Sequence, residues 1–153
     1  KQTVSYISKL ADVYRYILKK KKKDIIPLSQ ELDFIYLYID ILRVRYSNNL
    51  ILVVDIDDKN NEKNILFMSL ELLVENAVKH NIISDDKTLT INISTKKDFV
   101  VISNNINKKD KQKESNRVGL GLINLNQRYN IIANKDIVVE KKDDLFTVKI
   151  PLI

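Results

Sequence analysis

Apolar residues recur at helical spacing near the start of the chain: Val4, Ile7, Leu10, Ala11, Tyr14, Ile17 and Leu18. That spacing predicts a helix over residues 2–20. Pro27 interrupts the next segment. A second helix is expected from about Ser29, with Glu31 and Asp33 in its first turn, where acids suit the helix dipole. Its stripe of Leu32, Ile35, Ile39, Leu42 and Tyr46 should be buried, and Asn48 and Asn49 should end it. Residues 50–56 (LILVVDI) read as a buried strand, and the polar run Asp57 to Asn64 as a loop. A third helix is expected over 65–82, where Leu70, Leu73, Val74, Ala77 and Val78 share one face.

Alternation then replaces helical spacing. Leu89, Ile91 and Ile93 mark a strand over 88–94, followed after a short lysine turn by another over 98–103. At the C-terminus, 136–140 should pair with 144–150, where Phe146, Val148 and Ile150 alternate. A fourth helix is expected from Leu120 to Ile132. Before it runs a polar stretch, Asn104 to Arg117, too long for a tight turn; such loops are uncommon unless functional. This order of elements predicts an α+β fold, five strands with helices packed on one face, plus an N-terminal helix.

Composition narrows the picture. The chain has 153 residues, and 44% of them are hydrophobic, enough for a core. It has no cysteine, which excludes disulfides and thiolate chemistry. No apolar run is long enough to span a bilayer and no signal peptide is visible. The 26 Lys and Arg against 20 Asp and Glu leave a net charge of +6, concentrated in part in the lysine run 19–23. The plain reading of that run is a solvated helix end; acidic lipid or nucleic acid is the sharper one. Few aromatics stand among the lysines as stacking platforms, so nucleic acid is not an expected partner. There are only two glycines, Gly119 and Gly121, and one histidine, His80.

Three groups of residues carry candidate chemistry. In Glu75-Asn76-Ala77-Val78-Lys79-His80-Asn81, a helix would put a carboxylate, an amide, an ammonium and an imidazole on one side, away from Leu73, Val74 and Ala77. An amide oxygen suits Mg²⁺, which keeps most of its waters and leans on substrate phosphates. Lys79 can meet phosphate as a point charge, and Glu75 can accept a proton or hold a metal-bound water. The plainer reading is an exposed polar face with a Glu–Lys pair. In Gly119-Leu120-Gly121-Leu122, glycines open a helix after a loop containing Lys108, Lys109, Lys111, Lys113 and Arg117. Helix N-termini favour anions, and glycine lets a backbone turn sharply and approach a ligand. The plainer reading is a loop-to-helix turn. Third, the strand Val100 to Ser103 runs into Asn104 and Asn105, which suit a ligand's edge or a turn.

In this order these blocks resemble the ATP-binding domain of the gyrase, heat-shock chaperone, histidine kinase and MutL (GHKL) superfamily. ENAVKHN looks like its N box, GLGLINLNQRY like its last glycine box with the following helix, and the long loop like its ATP lid. LADVYRYIL and PLSQELDFIYLYIDILRVRY are further similar to sensor histidine kinases of the LytS/YehU type, whose helix pattern is met by Leu28, Glu31, Leu32, Ile35, Tyr38, Ile39, Ile41, Arg45 and Tyr46. The resemblance implies a mixed, mostly antiparallel five-stranded sheet. It also implies residues 1–24 as the tail of a helical dimerisation segment, its apolar stripe a helix–helix seam, and 25–153 as the catalytic domain.

By the same resemblance, Asn76 is a Mg²⁺ ligand, Lys79 meets the phosphates, and Glu75 is the acidic catalytic residue near the transferred phosphate. His80 lines the pocket, and the Gly119-Leu120-Gly121-Leu122 backbone approaches the phosphates. Asn104 and Asn105 fall where adenine is read, and Arg128 and Tyr129 are structural. The cofactors implied are ATP and Mg²⁺. The function implied is transfer of the γ-phosphate to a histidine upstream of Lys1, for relay to a response regulator. The full-length protein would be a homodimer in the cytoplasmic membrane, with this fragment on the cytoplasmic side and the membrane segments outside this chain. The fragment lacks the acceptor histidine and should not autophosphorylate. The adenine box departs from the usual Asp-x-Gly-x-Gly: Asn104 and Asn105 are followed by Ile106, with no glycine. A neutral amide there forfeits a charge-assisted bond, so the alternative is a same-fold interaction module with weak or lost nucleotide binding. The usual proline before the N-box helix is also absent, Leu66 and Phe67 standing there instead.

Overall fold

The computed structural model describes residues 2–20, 23–107 and 119–153. The elements run α1 (Gln2–Lys20), β1 (Ile25–Pro27), α2 (Leu28–Tyr46), β2 (Leu50–Asp55), β3 (Asn64–Leu66), α3 (Ser69–His80), β4 (Leu89–Lys96), β5 (Phe99–Asn105), α4 (Leu120–Ala133), β6 (Val138–Lys142) and β7 (Leu145–Pro151). Short 3₁₀ turns occupy Ser47–Asn49 and Asp58–Asn60. Lys21, Lys22 and most of the expected lid, including Lys108, Lys109, Lys111, Lys113 and Arg117, lie outside the described residues.

Five strands form one sheet in the order β2-β4-β5-β7-β6. β2 and β4 are parallel, with Leu50 opposite Leu89, and the remaining pairs are antiparallel. The fold class is therefore the expected one. Alternation selects the covered face: Leu89, Ile91 and Ile93 of β4, Val100 and Ile102 of β5 and Val148 and Ile150 of β7 are all buried. They meet Leu32, Ile35 and Ile39 of α2, Leu70, Leu73, Val74 and Ala77 of α3, and Leu125 and Tyr129 of α4 in one core.

One expected helix is corrected. Residues 65–82 do not form a single helix: β3 ends at Leu66, and α3 begins only at Ser69. Met68 stands between them at φ 64°, in the left-handed region that a side chain adopts only at a cost. The apolar run Ile65 to Met68 matches a helical stripe, but β3 pairs antiparallel with β1, Ile26 opposite Ile65, in a two-stranded sheet the sequence pattern did not announce. The polar stretch before it is also more ordered than a loop. The carbonyls of Asn61 and Lys63 accept from the Ser29 and Leu28 N–H groups and so satisfy the start of α2.

α1 lies antiparallel along α2. Lys9 meets Asp40 at 3.1 Å, the Tyr16 hydroxyl donates to the Gln30 carbonyl at 3.0 Å, and the Tyr16 ring stacks on Phe34 at 4.6 Å. Val13 is buried in this contact. The expected apolar stripe points elsewhere: Val4, Ile7, Tyr14 and Leu18 are between 60% and 73% exposed.

The Tyr129 ring is fully buried, and its hydroxyl accepts the Leu66 N–H at 3.3 Å. Burial pushes that hydroxyl up to about 12. Tyr129→Phe keeps the ring but strands a buried N–H, so it should lower unfolding free energy by about 1–3 kcal/mol in urea titrations. An unchanged midpoint would show that the bond is dispensable.

Candidate functional site

α3 supplies the first wall. Its buried side, Leu70, Leu73, Val74 and Ala77, is fixed against the sheet by the core. With that face committed, helical geometry turns Glu75, Lys79 and His80 to solvent and leaves Asn76 half-buried at the boundary. His80 is the last residue of the helix.

α4 supplies the second wall. Gly119, the residue just before its first turn, sits at φ −95°, and neither glycine adopts a positive φ. The expected use of glycine for a sharp turn is therefore corrected: the backbone there is accessible to any residue. What the glycines withhold is a side chain. A Cβ at Gly121 would stand 3.8 Å from the Asn76 Nδ2 and 3.5 Å from Leu72. Those are ordinary contact distances, so packing alone does not demand glycine. The absent methyl instead leaves room beside the amide, next to a helix N-terminus. Leu120 is exposed, and Leu122 is half-buried.

The two asparagines at the end of β5 part company. Asn104 is buried, and its Nδ2 donates to the Asn105 carbonyl at 2.8 Å. The Asn105 side chain is turned to β4: its Oδ1 accepts the Thr90 N–H at 2.7 Å, and its Nδ2 donates to the Thr88 carbonyl at 2.9 Å. It therefore serves to fasten the strands. A neighbouring amide, Asn107, extends the fastening. Its N–H donates to Asn81 Oδ1 at 2.6 Å, while Asn81 donates back to the Ala77 carbonyl on α3. Asn81 closes the motif singled out in the sequence, whereas Asn107 falls in the polar stretch expected as a loop and was not picked out.

Glu31 was also missed in its actual role. It lies in the first turn of α2 as expected, but its carboxylate does not face solvent. Its Oε2 accepts the Met68 N–H and its Oε1 the Leu70 N–H, both at 3.2 Å. The signal was present: an acid on the buried side of a helix, between Leu28 and Leu32. The same turn is held from α4, where Arg128 donates to the Phe67 carbonyl at 3.0 Å. Arg128 and Tyr129 thus hold the fold together.

Burial raises Glu31 to about 7 against the pull of its two backbone N–H partners. Burial and the nearby Glu75 raise Glu71 to about 7 as well. The folded protein therefore holds more protons than the unfolded chain between 4.5 and about 7, and stability contributed by these groups falls as pH rises through that window. Glu31→Gln removes one titrating group. The stability of wild type relative to this variant should be greater at about pH 5 than at about pH 8, by roughly 1–3 kcal/mol in urea titrations. A gap independent of pH would show that Glu31 titrates as it does unfolded.

Among the described residues, no group of three His, Cys, Asp or Glu side chains is placed to hold a metal ion. A cation here would rest on the Asn76 amide together with oxygens of its own substrate, the coordination habit of Mg²⁺ rather than of zinc. A cleft of about 560 Å³ lies elsewhere, between Phe99 at the start of β5 and Lys135 after α4. Its Lys63 is paired to Asp98 at 3.3 Å, and Lys135 donates to the Leu152 carbonyl at 2.7 Å.

The fold is that of the catalytic domains of histidine kinases. The nucleotide-free catalytic domain of histidine kinase ThkA superposes with a TM-score of 0.51 at 16% identity, covering 83% of this chain and 93% of that one. Acinetobacter baumannii histidine kinase AdeS superposes at 0.52 and 13% identity, covering 99% and 81%. At such identities the likeness is one of fold. Sequence comparison reaches further. Residues 1–50 match the model of the histidine kinase family. The sensor protein LytS of Oceanobacillus iheyensis is 29% identical over 144 residues, covering 83% of this chain and 24% of that protein. Sensor histidine kinase YesM of Bacillus subtilis is 31% identical over 94 residues, covering 60% and 16%. The resemblance to LytS-type sensor histidine kinases is borne out. The chain spans about a quarter or less of the length of these relatives.

Proposed function

We propose that this chain is the catalytic, ATP-binding portion of a two-component sensor histidine kinase, which transfers the γ-phosphate to a histidine upstream of Lys1 for relay to a response regulator. The observation that carries this reading is the approach of the α4 N-terminus to the Asn76 amide, so close that a Cβ at Gly121 would stand 3.8 Å from the amide nitrogen. Asn76 would hold Mg²⁺ through its amide oxygen, with Lys79 and the α4 N-terminus supplying positive potential to the phosphates. Bound Mg²⁺ would supply charge neutralisation of the triphosphate. Glu75, solvent-facing one position before the amide, would take a proton from an incoming acceptor group. Asn104, buried at the end of β5 with its Nδ2 held by the Asn105 carbonyl, would offer its amide oxygen to the adenine amino group. Asn105 is committed to β4 and contributes by holding that strand end in place.

The exposed stripe of α1 supports a second element of the reading. Val4, Ile7, Ala11, Tyr14 and Leu18 follow alternating steps of three and four, the seam of a two-helix contact, and they face away from the domain. Residues 1–24 would then be the end of a dimerisation segment, and the full-length protein a homodimer. Among the described residues, no helix is long and apolar enough to cross a membrane. Membrane attachment of the full-length protein would come from segments outside this chain.

Calorimetry with Mg²⁺ and a non-hydrolysable ATP analogue tests the site. Wild type should bind saturably, and Asn76→Ala should abolish binding. Gly121→Ala should leave melting unchanged or raise it, because a helical Gly→Ala gains about 0.5–1 kcal/mol, yet weaken binding about tenfold or more by filling the space beside the amide. Absence of wild-type binding at millimolar nucleotide would reject the kinase reading in favour of a same-fold interaction module.

A further inference from the structure

We infer that Glu31 is a positioning residue: its buried carboxylate, reaching from α2, caps α3 and so sets the aim of the Asn76 amide. The inference rests on the reading of Asn76 as the Mg²⁺ ligand of a nucleotide site.

α3 starts without a cap of its own. The residue at its N-cap is Met68, which makes no side-chain cap bond. The neighbouring hydroxyl of Ser69 is turned back to the Leu66 carbonyl at 2.6 Å. A helix start in a buried setting must nonetheless have its first N–H groups satisfied. Glu31 does this from 39 positions before Leu70, with one oxygen on each of two N–H groups. The residue is 0% exposed among Leu28, Leu32 and Ile35. Packing alone would be served at lower cost by an apolar side chain there, since a buried carboxylate carries a desolvation penalty. Its bonds to the α3 backbone are the return on that penalty.

The lever is short and stiff. Asn76 lies six residues beyond Leu70, about 9 Å along the axis. A tilt of about 10° in the first turn would displace the amide by about 1.5 Å, and a misplacement near 1 Å is enough to cost about a hundredfold at a reacting centre. Arg128 still holds the Phe67 carbonyl, and Tyr129 still holds the Leu66 N–H. Loss of the carboxylate would therefore leave α3 attached and packed on the core, but with its first turn free to tilt.

The test separates aim from stability. Affinity for the ATP analogue is measured at about pH 8, with Mg²⁺ and with chelator, on wild type, Glu31→Gln, Glu31→Asp and Leu32→Ala. The Mg²⁺-dependent gain in affinity should fall about tenfold in Glu31→Gln, with affinity in chelator unchanged. Glu31→Asp, one methylene shorter, should fall between the two and serves if the Gln variant does not fold. Leu32→Ala, which trims the same helix without touching α3's N–H groups, should lower melting yet keep the full Mg²⁺ gain. Equal losses with and without Mg²⁺, or a Glu31 variant indistinguishable from wild type, would overturn the assignment while leaving the nucleotide site standing. Failure of wild type itself to bind nucleotide would instead remove the site reading, and this inference with it.

Discussion

The bonds converging on the turn from Leu66 to Leu70 hold the rest of the molecule in register. A strand ends there and a helix begins in a buried place, with Met68 in a left-handed conformation. No local side chain caps the helix, so its polar groups are met from distant elements. Glu31 of α2 takes the N–H groups of Met68 and Leu70, Tyr129 of α4 takes that of Leu66, and Arg128 of α4 holds the Phe67 carbonyl. Each bond is modest, but leaving any of these buried groups unmet costs more than the bond is worth. That asymmetry ties three helices and a small sheet to a single point.

Both walls of the candidate site hang from this anchor. α3 leaves it carrying Asn76, and α4 is pinned to it through Arg128 and Tyr129 while its other end brings Gly121 to the Asn76 amide. The strand end at Asn104 is held separately, by the amides of Asn105, Asn107 and Asn81, which link β4, β5 and the end of α3. The site is thus framed by groups that do no chemistry themselves. The arrangement agrees with a ligand held by positioning and charge neutralisation, where small displacements matter.

α1 has two faces with different partners. Tyr16 stacks on Phe34 and donates to Gln30, and its hydroxyl is held above the ordinary range first by burial and then by Glu31 and Asp33. The same ring lies 6.1 Å from Phe67, within the anchored turn. The opposite face is an apolar stripe left in solvent. One side of the helix is thus fastened to the domain while the other, spaced by threes and fours, is uncovered.

Much of this was legible in the residues. Among the described residues, helical spacing marked α1, α2 and the body of α3, and alternation marked β4 and β7, because burial of one face imposes a period on the chain; the other main-sheet strands and α4 were read from apolar runs and their place in the order. Ordered motifs brought Asn76 and the glycine pair into one hypothesis before any geometry. The two-stranded sheet and the break at Met68 were not legible, since a short apolar run reads alike as strand or helix until its pairing partner is known. Nor was the function of Glu31, Asn105 or Asn107, whose side chains answer backbone groups between 15 and 39 positions away. Local sequence sets which residues turn inward. Which buried N–H a carboxylate meets, and which amide a missing methyl leaves open, is settled only when distant segments pack.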